Sequence, residues 1–167
     1  MSEKKHLPMY GTGPLCVTIM IILFLIMLIL DYKKILLSGE IKTCKTVFLF
    51  LGIILILLGI YMWIHAVIIS KIDTSIIENH LLTSGIYAWV RNPIYSAFAI
   101  ALTGGSLLFT NLWFLILPPL FWLTITIIMK LSEEKWLLNA FGNEYVEYCK
   151  NVNRCIPWFP KNKDRYH

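Results

Sequence analysis

The chain has 167 residues, of which 57% are hydrophobic and 15% charged, with a formal net charge of +5. Soluble globular domains average roughly 45–50% apolar and about 25% charged residues, so the composition excludes an ordinary water-soluble domain and predicts an integral membrane protein. The positive excess suits anionic lipid headgroups; it does not call for a nucleic acid, because no basic stripe with interleaved aromatics lies on a soluble domain.

A bilayer core about 30 Å thick is crossed by about 20 apolar helical residues at a rise of roughly 1.5 Å each. Leu7 to Leu30 contains no Asp, Glu, Lys or Arg and predicts the first span. Lys4 and Lys5 precede it as in a signal peptide, but Asp31, Tyr32 and Lys33 follow in place of a small-residue cleavage site. The segment therefore reads as an uncleaved signal anchor. The 31–45 connection is basic and includes Gly39, and Thr46 to Ser70 supplies a second uncharged span. In the 71–92 connection, Ile72, Ile76, Ile77, Leu81 and Leu82 recur near helical spacing, which predicts a segment lying against the membrane until Thr83-Ser84-Gly85 breaks the pattern.

The uncharged run from Asn92 to Met129 is too long for one ordinary helix. Thr110-Asn111 is its natural turn, giving spans near 93–109 and 112–130, with a kink expected at Pro118-Pro119. After Lys130, Glu134, Leu138, Phe141, Tyr145, Tyr148 and Val152 follow i, i+3/i+4 spacing and predict one amphipathic helix, ended by Ile156-Pro157. The expected fold is an all-α polytopic membrane bundle in a single domain, with about four transmembrane helices plus a C-terminal amphipathic helix. Residues 1–70 form the two N-terminal spans.

Four spans return the chain to its starting side. Most of the 15 basic residues then share that side: Lys4, Lys5, Lys71, Arg91, Lys130, Lys135, Lys150, Arg154, Lys161, Lys163 and Arg165. The positive-inside rule places both termini in the cytoplasm, against a dense minority of Lys33, Lys34, Lys42 and Lys45 on the other face. Cys16, Cys44, Cys149 and Cys155 form no C-x-x-C pair and no His/Cys cluster, so neither a disulfide nor a metal site is expected.

Two polar signatures bracket the last two spans: L-L-T-S-G-I-Y-A-W-V-R-N-P-I-Y over 81–95 and E-E-K-W-L-L-N-A-F-G-N-E-Y-V-E-Y over 133–148. Two crossings between them bring both to one face of the membrane. Arg91 has two readings, a positive-inside anchor or a cation meeting an anionic ligand. Glu133 and Glu134 either open a solvated helix, where acidic residues favour the dipole, or oppose Arg91 across a ligand bearing both charges. Gly104-Gly105 marks either a close helix crossing or a place where an adenosine-sized ligand meets backbone. His80 is either an interfacial anchor or a ligand contact, and Tyr145 and Tyr148 read as packing residues. No Walker loop, dinucleotide fingerprint, H-E-x-x-H or Ser-His-Asp set is present in usable form.

Taken in order, H-L-L-T-S-G-I-Y-A-W-V-R-N-P-I-Y, Gly104, E-E-K-W-L and F-G-N-E-Y-V-E-Y closely resemble the phospholipid methyltransferase and isoprenylcysteine carboxyl methyltransferase superfamily over about residues 80–157. The first two spans carry no such resemblance. The resemblance implies an S-adenosylmethionine site at the cytoplasmic ends of the last spans and a lipophilic methyl acceptor taken from among the membrane lipids. By position, Arg91, Pro93 and Tyr95 match R-x-P-x-Y, Gly104 its following glycine, Glu133 and Glu134 the paired acids, and Leu137 the leucine of E-E-x-x-L. Arg91, Glu134 and Tyr95 are the expected catalytic residues. His80, Tyr87, Asn92, Pro93, Gly104, Glu133 and Leu137 join them as expected cofactor contacts. Asn92 stands where the carboxyl methyltransferases often have histidine, which weakens the isoprenylcysteine assignment. Isoprenylcysteine-type carboxyl O-methylation, phospholipid N-methylation and methylation of a small thiol are the acceptor readings. An NADPH-dependent membrane reductase and a non-catalytic membrane scaffold are the readings from other classes.

Overall fold

The computed structural model describes residues 12–36, 39–41, 44–69 and 81–159. Among these residues it contains six α-helices: α1 (Gly13–Tyr32), α2 (Lys45–Ile64), α3 (Pro93–Leu108), α4 (Leu117–Leu131), α5 (Glu133–Phe141) and α6 (Asn143–Asn151). A π-helical turn, His65–Ile69, extends α2, and 3-10 turns at Gly85–Ala88 and Leu112–Ile116 lead towards α3 and α4. His80, Ile72, Ile76 and Ile77 lie outside the described residues.

Three stretches, Gly13–Tyr32, Lys45–Ile69 and Leu112–Leu131, are long and apolar enough to cross a membrane. Helix α3 has 16 residues and spans about 24 Å, shorter than the hydrocarbon core. It is also the helix around which the others assemble, packing against α1, α2 and α4. The outward faces of α1 and α2 carry exposed Ile, Leu and Phe side chains. That is the pattern of a chain whose solvent is lipid, since an apolar surface of this extent would drive association in water.

Helix directions follow from matched contacts. Gly13, starting α1, lies against Tyr95 near the start of α3, while Phe24 further along meets Phe109 past its end, so α1 and α3 run parallel. Gly52 faces Gly104 and Leu108, whereas Gly59 faces Ala97 and Ala101, so α2 and α3 run antiparallel. A Cβ on Gly52 would stand 2.8 Å from the Gly104 carbonyl, and one on Gly59 2.7 Å from the Ala97 carbonyl. Small residues allow this approach, which dispersion between backbones then stabilises in lipid. Thr12 reaches Ser132, so α4 ends where α1 begins. The core between α1, α3 and α4 is built from Cys16, Met20, Phe114, Leu117, Phe121, Ile125 and Met129, with Phe24 and Phe98 packed on it.

Asn111 ties the far end together. Its amide donates to Asp31 Oδ1 at 2.8 Å and to the Leu36 carbonyl at 3.0 Å, and its Oδ1 accepts from Trp113 N–H at 3.1 Å. An isolated β-bridge joins Glu40 to Asn111. The turn expected at Thr110-Asn111 is therefore present, with Thr110 in the left-handed region at φ +48°.

Two expectations are corrected. Pro118 and Pro119 do not kink a continuous helix: a 3-10 turn precedes them and they occupy the first turn of α4, where a missing N–H breaks no helical bond. The single C-terminal amphipathic helix is two, divided at Gly142, whose φ of +52° and ψ of −123° suit only glycine. The division changes which side chains are covered. Leu137, not Leu138, packs towards Tyr145, Tyr148, Val152 and Leu81.

Candidate functional site

The second polar signature returns to the first through the C-terminal segment. Arg91 N–H donates to the Asn153 carbonyl at 2.8 Å, and Asn92 donates to the Arg154 carbonyl from its backbone at 3.3 Å and from its side chain at 3.0 Å. Backbone before α3, which would be costly to expose in hydrocarbon, is thereby paired within protein. Trp158 N–H donates to the Trp89 carbonyl, and Phe159 lies against the Trp89 ring with centroids 4.8 Å apart. Asn92 is thus buried beneath the 153–154 segment and sets the position of Arg154.

Arg154 completes an ion triad. Its Nε and Nη2 grip Glu134 Oε1 and Oε2 at 2.6 and 3.0 Å, and Arg91 Nη1 stands 3.1 Å from the same Oε1. The side chains of Arg91 and Glu134 are only 9% and 16% exposed. One carboxylate between two guanidiniums leaves the triad with a surplus positive charge. The Glu134 hydrogen bonds push the Arg154 guanidinium above its ordinary range, fixing it as a cation. Arg91 Nη1 also donates to Cys149 Sγ and, at 3.4 Å, to Tyr145 OH. Its Nε is buried without a hydrogen-bond partner among the described residues.

Glu133 points elsewhere. Tyr95 OH donates to its Oε1 at 2.7 Å and Thr12 Oγ1 lies 3.5 Å from the same oxygen. No ion pair involves Glu133 among the described residues. Burial pushes its carboxyl above the ordinary range, opposed by the hydrogen bonds from Tyr95 and Thr12. Burial likewise raises the phenols of Tyr87, Tyr145 and Tyr148, so each remains a neutral donor. Tyr148 OH donates to the Tyr87 carbonyl at 2.6 Å, holding the 3-10 turn against α6, while Tyr87 OH itself is buried and unpartnered among the described residues. Ser96 Oγ, one turn into α3, is the other buried hydroxyl in that condition.

The raised carboxyl has a measurable consequence. Folded Glu133 retains a proton that the unfolded chain releases near its ordinary value of 4.5, so stability falls as pH rises through the interval above that value. Glu133→Gln is expected to remove this slope and to raise the thermal midpoint above the wild type at neutral pH. The two should converge below about pH 4. Detergent unfolding scans across pH check it; a wild-type slope in the variant would contradict it.

Of the residues singled out in the sequence, the fold gathers Tyr87, Arg91, Asn92, Pro93, Tyr95, Glu133 and Glu134 at one end of the bundle. Leu137 packs beside them in the apolar cluster under Tyr145 and Tyr148. Gly104 does not join them. It lies nine residues beyond Tyr95, about 13 Å along the helix, where a Cβ would stand 2.9 Å from Ile56 N. His80 lies outside the described residues. Arg154, Thr12 and Ser132 were not singled out as site residues. Arg154 had a signal in V-N-R-C-I-P, a cation just past a helix end in an apolar setting; Thr12 had none.

Residues 47–144 match the phospholipid methyltransferase family. The chain belongs to that family. This membrane methyltransferase draws on three elements outside the matched interval for its polar cluster: the start of α1, the end of α6 and the 152–155 segment. Comparison with curated proteins gives no match, and comparison with solved structures gives none. Family membership implies a methyl donor.

Proposed function

We propose that the chain binds S-adenosylmethionine in this cluster and moves its methyl group to a lipophilic acceptor arriving from the bilayer. The supporting observation is a division of charge among the described residues: there Arg91 has a buried Nε without a partner, and Glu133 is a carboxylate paired only with hydroxyls. The Nε edge of a guanidinium grips a carboxylate through two parallel hydrogen bonds. Arg91 would hold the methionyl carboxylate, Glu133 the ammonium group, and Glu134 would hold Arg91 in place. Tyr87 OH and Ser96 Oγ are buried hydroxyls left to satisfy further polar atoms of the ligand.

When bound, S-adenosylmethionine supplies an electrophilic methyl on a sulfonium. What remains for the protein is alignment and exclusion of water, and alignment alone contributes up to roughly 7–11 kcal/mol in favourable systems. An isoprenylcysteine-type carboxylate is the first acceptor reading, because such a nucleophile needs no base. A phospholipid amine is the second; its ammonium form must lose a proton before it attacks. The excess of basic residues on the site's face supports cytoplasmic termini.

Binding of S-adenosylmethionine to the full chain in detergent tests the donor assignment. Arg91→Lys keeps the charge but loses the fork, and is expected to weaken binding roughly ten- to hundredfold. Wild-type affinity in Arg91→Lys and in Glu133→Gln would remove the assignment. Labelled methyl donor incubated with a membrane extract identifies the acceptor class by whether the label survives mild base, which cleaves methyl esters and spares N-methyl groups.

A further inference from the structure

The first span lies outside the family match, yet its first two described residues touch the centre of the site. Thr12 Oγ1 lies 2.7 Å from Ser132 Oγ and 3.5 Å from Glu133 Oε1. Ser132 Oγ donates to the Ile128 carbonyl, so its proton is committed and the single Thr12 hydroxyl proton is shared, as a bifurcated bond, between Ser132 Oγ and Glu133 Oε1. The beginning of α1 is thereby tied to the junction of α4 and α5, where Glu133 emerges.

Gly13 acts on the other partner of Glu133. A Cβ there would stand 2.9 Å from Tyr95 Cε1 and 3.0 Å from Cζ, with the phenol oxygen closer still. The Tyr95 ring therefore lies against the bare backbone of α1, and from that seat its OH reaches Glu133 Oε1 at 2.7 Å. Gly13 is buried at the start of α1, so a side chain there would push the Tyr95 phenol off this seat and away from its present position against Glu133.

We infer that Thr12 and Gly13 are positioning residues for the methyl-donor site, fixing the Glu133 carboxylate through one direct hydroxyl contact and through the seat of Tyr95. This rests on the reading of Glu133 as a donor contact. It makes the first span a wall of the site and gives that span a role in donor affinity beyond anchoring.

The test measures S-adenosylmethionine affinity and thermal midpoint together, on the full chain in detergent. Thr12→Val, which is nearly isosteric, is expected to weaken binding roughly three- to tenfold, with Thr12→Ser restoring it to within about twofold. Gly13→Ala should weaken binding about as much as Tyr95→Phe, and the double variant should be no weaker than either single one, because both remove the same hydrogen bond. Wild-type affinity in Thr12→Val and Gly13→Ala, with Tyr95→Phe and Glu133→Gln impaired, overturns the positioning role and leaves the donor reading standing. Wild-type affinity in all four overturns both. Additive losses in the Gly13→Ala/Tyr95→Phe double variant also count against the inference. So does a loss in Thr12→Val that Thr12→Ser fails to restore.

Discussion

Glu134→Ala is expected to be the most damaging single substitution in the polar cluster, costing about 3–5 kcal/mol, the usual penalty for leaving a buried charge without its partner. Two guanidiniums, Arg91 and Arg154, would then face one another with nothing between them. Arg91 is the more deeply buried of the two, and its remaining partners, Cys149 and Tyr145, carry no formal charge in their ordinary protonation states. Donor binding should fail with stability, because the fork of Arg91 loses the anion that orients it. An internal control lies one helix away. Glu147 and Lys150 form an exposed i, i+3 pair at 3.3 Å, and Glu147→Ala should change stability by less than about 1 kcal/mol. Thermal unfolding of both variants in one detergent makes the comparison direct. Equal midpoints for Glu134→Ala and wild type would mean that the triad does not hold the cluster.

Enlarging Gly104 is expected to have the second-largest effect and the opposite functional signature. Gly104→Val would drive a branched side chain into the Gly52 carbonyl and the backbone nitrogen of Ile56, separating α2 from α3. Overpacking of this kind costs about 1–3 kcal/mol, and backbone lacks the rotamer freedom that lets side chains give way. Because the crossing lies about 13 Å from Tyr95 along α3, the folded fraction should bind the donor with nearly wild-type affinity. A Gly104→Val protein of wild-type stability and no donor binding would instead restore Gly104 as a ligand contact. The comparison with Glu134→Ala separates the two ends of the bundle, one sensitive through packing alone and one through charge.

Much of the architecture was legible because lipid imposes a simple rule on sequence. Uncharged runs of adequate length become helices, polar interruptions become turns, and the turn at Thr110-Asn111 appears where the apolar run had to be divided. The exceptions are local. Pro118-Pro119 looked like a kink because a proline inside a helix breaks a bond, but the α-helix begins at Leu117 and leaves those bonds unneeded. Gly142 was hidden inside a convincing helical period, since spacing of apolar residues does not report the backbone angle of the residue between them.

By itself the sequence determined the membrane class, the approximate spans and two ordered polar motifs whose return to one face follows from two crossings. Only the tertiary structure decided which partner each charge took. Glu133 and Glu134 are neighbours in the chain, but successive helical residues point about 100° apart, so one meets the hydroxyls of Tyr95 and Thr12 while the other meets two arginines. Arg154 reaches Glu134 because its own backbone carbonyl is held by Asn92, a pairing between segments separated by two spans. Gly13 matters because a ring from another helix lies where its side chain would be. Composition and periodicity describe a residue's relation to its solvent and its own helix, and these contacts join separate helices across the bundle.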